Sequence, residues 1–296
     1  MKDQAEKLRE LMKEESSNKN NTIIKNKAKV LAVTSGKGGV GKTNFAINLA
    51  ISLKRLGYRV LIFDADIGLA NVEILAGVNI EHTIADLFAD EKDIYEIIGE
   101  GPEGIKIISG GSGFNEVFIM SYENTDKLLK EIEKLESSMD FIIIDTGAGV
   151  SNIILHFVMA ADEVILITTP DPTSLMDGYT MIKALTTNGY KGKLNVVANI
   201  VSNRMEAENV FYKLNKASNN FLNVKLNFLG YLEKSNIVNK AVINQRPFLL
   251  SDPRSIISKK INIIALNFVD SNDLKEIDQG KTFTQKLKDL IFGRGG

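Results

Sequence analysis

The chain has 296 residues, 36 basic and 37 acidic side chains, and a formal net charge of −1. Apolar residues make up 44% and charged residues 25%, the balance of a soluble globular protein long enough to bury a large core without staples. Cysteine is absent, which excludes disulfides, thiolate metal sites, thiolate-held iron–sulfur clusters and cysteine nucleophiles. His82 and His156 are too few for a histidine-rich metal site. Near-zero charge gives no global pull toward DNA or anionic lipid, so any such binding must be local. No apolar run reaches the roughly 18 residues of a spanning helix. The start, MKDQAEKLRELMKEE, has neither the apolar centre of a signal peptide nor the acid-poor composition of a transit peptide, and a cytoplasmic protein is expected.

In chain order, residues 1–15 read as a short helix with Ala5, Leu8, Leu11 and Met12 at helical spacing. Residues 16–27, SSNKNNTIIKNK, are polar and linker-like, so 1–27 form one unit. The body spans 28–268. Apolar, β-branched runs occur at 30–34, 60–63, 105–108, 141–144, 164–168, 196–200 and 228–232. Segments of helical length separate most of them, at 43–56, 123–136, 174–187 and 207–219. Continuous apolar strands alternating with helices predict a doubly wound, mainly parallel α/β sheet. Within the less regular 77–104, Ile84–Phe88 and Ile94–Ile98 read as short helices. Residues 269–296 read as a polar hinge followed by an amphipathic helix.

The strongest motif is Ser35-Gly36-Lys37-Gly38-Gly39-Val40-Gly41-Lys42-Thr43, which fits G-x-x-x-x-G-K-[ST] after the strand KVLAVT and at the start of a helix. Its glycines let main-chain N–H groups turn toward phosphate oxygens, and the helix N-terminus adds partial positive charge. Lys42 can reach the β- and γ-phosphates, and the Thr43 hydroxyl can ligate Mg²⁺. Two further strands end in acids: VLIFDADIGLAN in Asp64 and Asp66, and FIIIDTGAG in Asp145. Ligands of open parallel sheets bind beyond the carboxyl ends of the strands, so these acids face the loop. Acids there can hold Mg²⁺ through water or orient an attacking water, although Asp also caps strands and turns for structural reasons alone.

Lysine early in the loop, together with DADIGLAN and IIIDTGAG, resembles the deviant P-loop ATPases of the MinD/ParA class, over about residues 29–268. The resemblance implies a SIMIBI-like P-loop NTPase fold, with ATP and Mg²⁺ as cofactors. By that likeness Lys37 is a signature lysine that reaches the nucleotide of a second subunit in an ATP-sandwich homodimer. Lys42 and Lys37 would then serve catalysis with Asp66, which positions the hydrolytic water, while Thr43, Asp64 and Asp145 lie near Mg²⁺. The implied nucleotide contacts are Gly36, Lys37, Gly38, Gly39, Val40, Gly41, Lys42, Thr43 and Asn44, with Asn199 where the class reads adenine; a capping asparagine fits Asn199 as well. TTPDPTSLMDGY, with Pro170 and Asp171 after a strand, also resembles the class.

Within the class, the absence of cysteine removes the nitrogenase iron protein, iron–sulfur carriers and arsenite pumps. No strong basic run marks a DNA-binding face, so no specific nucleic acid is expected. The last tyrosine is Tyr231, which leaves no C-terminal tyrosine cluster of the autokinase kind. DQAEKLRELM is similar to the leading DQAxxLR segment of the flagellar number regulators, the FlhG (YlxH/FleN) type, through Asp3, Gln4, Ala5, Leu8 and Arg9. In that family the segment stimulates FlhF, a GTPase of the signal-recognition-particle type, and flagellar switch (C-ring) proteins or a transcription regulator are further partners. The tail carries Phe283, Leu287, Leu290 and Ile291 on one helical face, with Lys281, Lys286, Lys288 and Arg294 against Asp289. Such a helix suits an anionic membrane surface on the inner face of the cell membrane, and equally a helix docked on the body. The expectation is a slow, partner-stimulated ATPase switch for flagellar number and placement, membrane-attached in its ATP state. A MinD-type division-site regulator and a ParA-type partition ATPase remain alternatives on the same engine, and a scaffold with a degenerate site is the non-enzymatic one.

Overall fold

A computed structural model describes residues 27–66, 71–89, 92–111, 122–269 and 281–293. Asp3, Gln4, Ala5, Leu8 and Arg9 lie outside the described residues. The strands are β1 (Lys29–Ser35), β2 (Val60–Ala65), β3 (Gly99–Glu100), β4 (Lys106–Ile108), β5 (Phe141–Ala148), β6 (Glu163–Thr168), β7 (Lys193–Val201) and β8 (Asn227–Glu233). They form one sheet in the order β3-β4-β2-β5-β1-β6-β7-β8. Every pairing is parallel except β3 with β4. The doubly wound expectation therefore holds. The short antiparallel edge strand β3 was not foreseen.

Around the sheet lie α1 (Lys42–Arg55), α2 (Asn71–Ala76), α3 (Ile84–Phe88), α4 (Tyr122–Glu136), α5 (Asn152–Ala160), α6 (Pro172–Thr187), α7 (Arg204–Leu222), α8 (Asn236–Ile243), α9 (Phe248–Ser251), α10 (Ile256–Leu266) and α11 (Phe283–Phe292). The expected helix at Ile84–Phe88 is present and starts from a Thr83–Asp86 capping box. Ile94–Ile98 is a turn, not a helix. There Asp93 accepts the Tyr95 and Glu96 N–H groups, closing a local turn that competes with helix.

Successive side chains of a strand point to opposite faces, and β1 shows the consequence. Val30 and Ala32 enter a core shared with α4, α5, α6 and α11. Leu31 and Val33 enter the core on the other face, with α1, α9 and α10. All seven β1 residues are buried, which is why the strand reads as an unbroken apolar run.

The C-terminal stripe departs from the membrane expectation in one respect. Phe283 and Leu287 are buried, and Leu290 and Ile291 pack half-buried against the same core. Helix α11 is thus seated on the body, beside α4 and α5. Thr282 caps its start.

A buried polar ladder crosses the opposite ends of the strands from the phosphate motif. The Lys29 ammonium lies 2.9 Å from Glu163, with both side chains less than a tenth exposed. Asn195 Nδ2 donates to Glu163, and Asn227 Nδ2 donates to Asn195. Removing one member of a buried pair strands the other charge in a dry interior. Glu163→Leu should therefore lose about 3 kcal/mol in urea unfolding, and the double change Lys29→Met with Glu163→Leu should recover most of it. A loss below about 1 kcal/mol in the single variant would show that the ladder does not hold the sheet.

Candidate functional site

Residues 36–41 run from the end of β1 into α1, at the carboxyl edge of the sheet. Gly41 occupies the N-cap of α1 in the left-handed region (φ 91°) and brings no side-chain acceptor. No acid stands in the first turn either, so α1 supplies from its own residues no anion to offset its N-terminal partial charge. Gly36 is required by close approach: a Cβ there would lie 2.1 Å from the Asp177 carbonyl carbon of α6. Helix α6 therefore rests directly on the loop.

Lys42 is 8% exposed. Burial pushes its ammonium down from the usual lysine range, while Asp145 and Asp66 pull it back up. Asp145, on β5, is fully buried, and neither carboxylate oxygen has a hydrogen-bond partner of ordinary geometry. Burial first, then neighbouring Asp64, pushes its carboxyl up to about 8, although the Thr43 hydroxyl and Lys42 favour the charged form. A buried carboxylate without a partner is the signature of a group that awaits a cation. Thr43 and Asp145 thus fit a magnesium ion held at the head of α1.

Asp64 sits directly opposite Asp145 in register. Its oxygens are already engaged, Oδ1 accepting the Asp66 N–H at 3.0 Å and Oδ2 the Val72 N–H at 3.2 Å. Burial nevertheless pushes it up to about 6. Among the described residues no three His, Asp or Glu side chains converge as a metal cage. Asp64 is better described as the brace that fixes the chain on both sides of 67–70, with Asp66 on its near side. Asp66 accepts from Asn71 Nδ2 at 3.0 Å. Its other oxygen lies over Gly147, where a Cβ would come within 2.9 Å of it.

Lys37 is held within its own subunit. Its ammonium donates to Asp171 at 3.0 Å and to the Thr173 hydroxyl at 2.7 Å. That ammonium and the Thr173 N–H hold the Asp171 carboxyl well below the carboxylate range, at about 2. Asp171 also caps α6, with Pro172 in its first turn, a pairing that marks a helix start and was available in the sequence. TTPDPTS thus supplies both side-chain partners of the Lys37 ammonium. Asn199, expected where the class reads adenine, lies against the loop with both its polar atoms engaged. Nδ2 donates to Val40 O at 2.7 Å, and Oδ1 accepts the Ile200 N–H at 2.9 Å. Ile200 is left-handed (φ 58°), a strained conformation for a β-branched residue. Nothing in the sequence signalled it. Asn44 stands in the first turn of α1, and its main-chain oxygen accepts from Asn48 Nδ2 within the helix.

The ParA family model, described as NUBPL iron-transfer P-loop NTPase, matches residues 26–269. The iron chemistry in that description has no thiolate to use here. The antiactivator FleN of Pseudomonas aeruginosa is 37% identical over 87% of this chain and 92% of its own length. The flagellum site-determining protein YlxH of Helicobacter pylori is 38% identical, covering 90% of each chain. The septum site-determining protein MinD of Pyrococcus horikoshii, solved with Mg-ADP, shares the fold with a TM-score of 0.65 at 23% identity, over 83% of this chain and 97% of that one.

Up to about pH 8 the folded, ligand-free chain keeps Asp145 protonated, whereas the unfolded chain ionises it near its ordinary value. The contribution of Asp145 to stability is therefore greatest below about pH 4 and declines as the pH rises to about 8, with Asp64 adding to the decline in the lower part of that window. Asp145→Asn should flatten this slope and raise the stability of the nucleotide-free chain at pH 7 by at least about 1 kcal/mol, read by thermal melts from pH 4 to 8. An unchanged slope would mean that the carboxyl is not the buried neutral acid described. On its loop, its three strand-end acids and these relatives, the chain belongs to the MinD/ParA family of P-loop ATPases, in the FleN/YlxH (FlhG-type) branch.

Proposed function

We propose that the chain is an ATP-driven dimerisation switch that regulates flagellar number and placement. The observation that carries this reading is the conjunction of a bare helix N-terminus, the buried Lys42 and the unpartnered Asp145 carboxylate beside Thr43. The first two meet a triphosphate, and the third meets its magnesium. Magnesium bound there neutralises phosphate charge; Thr43 would hold it directly and Asp145 from the outer shell. Asp66, placed above Gly147 and steadied by Asn71, orients a water for attack on the γ-phosphorus. Water adds to phosphorus, the bond to the β-phosphate oxygen breaks, and ADP and phosphate leave.

A second copy completes the site. Val150, Met176, Ile200 and Met205 are exposed apolar residues at the carboxyl ends of β5, β6 and β7 and on the loops and helix starts that follow them, the same edge of the sheet as the loop. Closure of two copies over two nucleotides would cover them. Lys37 would leave Asp171 and Thr173 for the other subunit's phosphates. The trade is favourable because the pair at Asp171 is half in water and adds little, while phosphate offers more charge in a drier setting.

The flagellar assignment follows the two relatives, one described as an antiactivator and the other as site-determining. Asp3, Gln4, Ala5, Leu8 and Arg9 would engage the GTPase FlhF, with a switch-complex protein or transcription regulator as a further partner. Phe283, Leu287, Leu290 and Ile291 would enter the inner face of the membrane after α11 leaves its seat. One such helix binds weakly, and two on one dimer bind far better through effective concentration.

Lys42→Ala should abolish ATP binding. Asp66→Ala should still bind ATP, accumulate as dimer in light scattering, and release phosphate about 100-fold more slowly. Phosphate release by Asp66→Ala at the parental rate would remove Asp66 from the mechanism.

A further inference from the structure

Two stretches 254 residues apart in sequence, the entry to β1 and the root of α11, meet at Glu136 and Asp162. Glu136, the last residue of α4, is 4% exposed. Its carboxylate accepts the Phe283 N–H at 2.8 Å, the Thr284 N–H at 3.3 Å and the Thr284 hydroxyl at 2.6 Å. Its main-chain oxygen accepts the Ala28 N–H at 2.9 Å. Asp162 repeats the arrangement. One oxygen accepts the Val30 N–H at 2.9 Å, and the other takes the Lys286 ammonium at 2.7 Å with Lys27 at 3.8 Å. Lys27 closes the ring by donating to the Lys281 carbonyl at 3.0 Å.

The helix held this way is a two-position element by its own chemistry. Ten residues are too few for a stable isolated helix, so its order depends on the seat. The seat is incompletely filled: a small apolar void beneath Phe283 is lined by Phe63, Ile132, Leu135 and Phe157. Lys286 and Lys288 spend their charge on Asp162 and Asp126 while docked. Those lysines cannot serve an anionic surface at the same time, so the two positions exclude one another.

We propose that residues 27–30 and α11 form one latch, in which displacement of the chain at Lys27 undocks α11, and undocking of α11 loosens the chain at Ala28. The coupling is reciprocal by linkage, because two residues serve both sides: Asp162 through its two carboxylate oxygens, and Glu136 through its carboxylate toward α11 and its main-chain oxygen toward Ala28. Its consequence rests on the reading above, in which α11 binds membrane: a protein that grips the amphipathic segment before residue 27 would then control membrane attachment from the opposite end of the chain. The latch itself needs neither nucleotide nor membrane.

Amide hydrogen exchange on the full chain without nucleotide tests it. Lys27→Ala lies outside α11, yet it should speed exchange of the amides of residues 287–292 by about tenfold, with β5 unchanged as the control for an intact fold. Lys286→Ala should speed the same amides and also those of Ala28 and Val30. Unchanged exchange of α11 in Lys27→Ala overturns the latch, whatever Lys286→Ala does. A parallel sedimentation with phosphatidylglycerol-containing vesicles separates the two ideas. Faster exchange with greater vesicle binding supports both. Faster exchange with no vesicle binding keeps the latch and removes the membrane reading.

Discussion

A buried carboxyl with no hydrogen-bond partner of ordinary geometry can ionise only at a cost to the fold unless something cationic meets it. Asp145 is that group, and the rest of the site is arranged around its position. It lies on β5 with β1 on one side and β2 on the other. From β1 the chain turns through the glycine loop into α1, which brings Lys42 and Thr43 over it. From β2 comes Asp64, whose proximity raises Asp145 further. Parallel pairing alone places all of these at the same edge, because every strand involved runs the same way.

The second constraint is charge that is paired within the single chain. In the single chain Lys37 rests on Asp171 and Thr173. Lys286 and Lys288 rest on Asp162 and Asp126. All are lysines on partly exposed pairs, which hold a side chain in place without much energy and release it readily. In the proposed switch, these are the lysines that would change partners. The strained Ile200 belongs with them. It follows Asn199, whose amide clamps Val40 of the loop, so the strain sits beside the part of the site that must be held still.

Much of this was legible in the sequence, and the exceptions have physical causes. The buried strands announced themselves because both faces are covered, as in β1, β2 and β6. The loop was legible because its glycines and lysines leave few other uses. Edge strand β3 escaped because two residues carry no periodicity. Ile94–Ile98 imitates a helix in its apolar spacing, while Asp93 diverts the main chain into a turn. Asp64 looked like a metal ligand because residue type says nothing about which N–H groups will claim its oxygens. Glu136 was invisible for the same reason. On a helix with Glu131, Glu133 and several lysines it reads as solvated, and only the fold turns it inward onto α11. The tail's amphipathic stripe was read correctly as a stripe; its spacing could not distinguish lipid from the body's own core.

These features converge on a cradle that grips a triphosphate only together with its cation. Titration calorimetry on the folded chain, with ATP in the presence of Mg²⁺ and again in excess chelator, measures that dependence directly. The account predicts tight association with magnesium and a large loss of affinity without it. Equal affinity in the two titrations, or no heat in either, would contradict it.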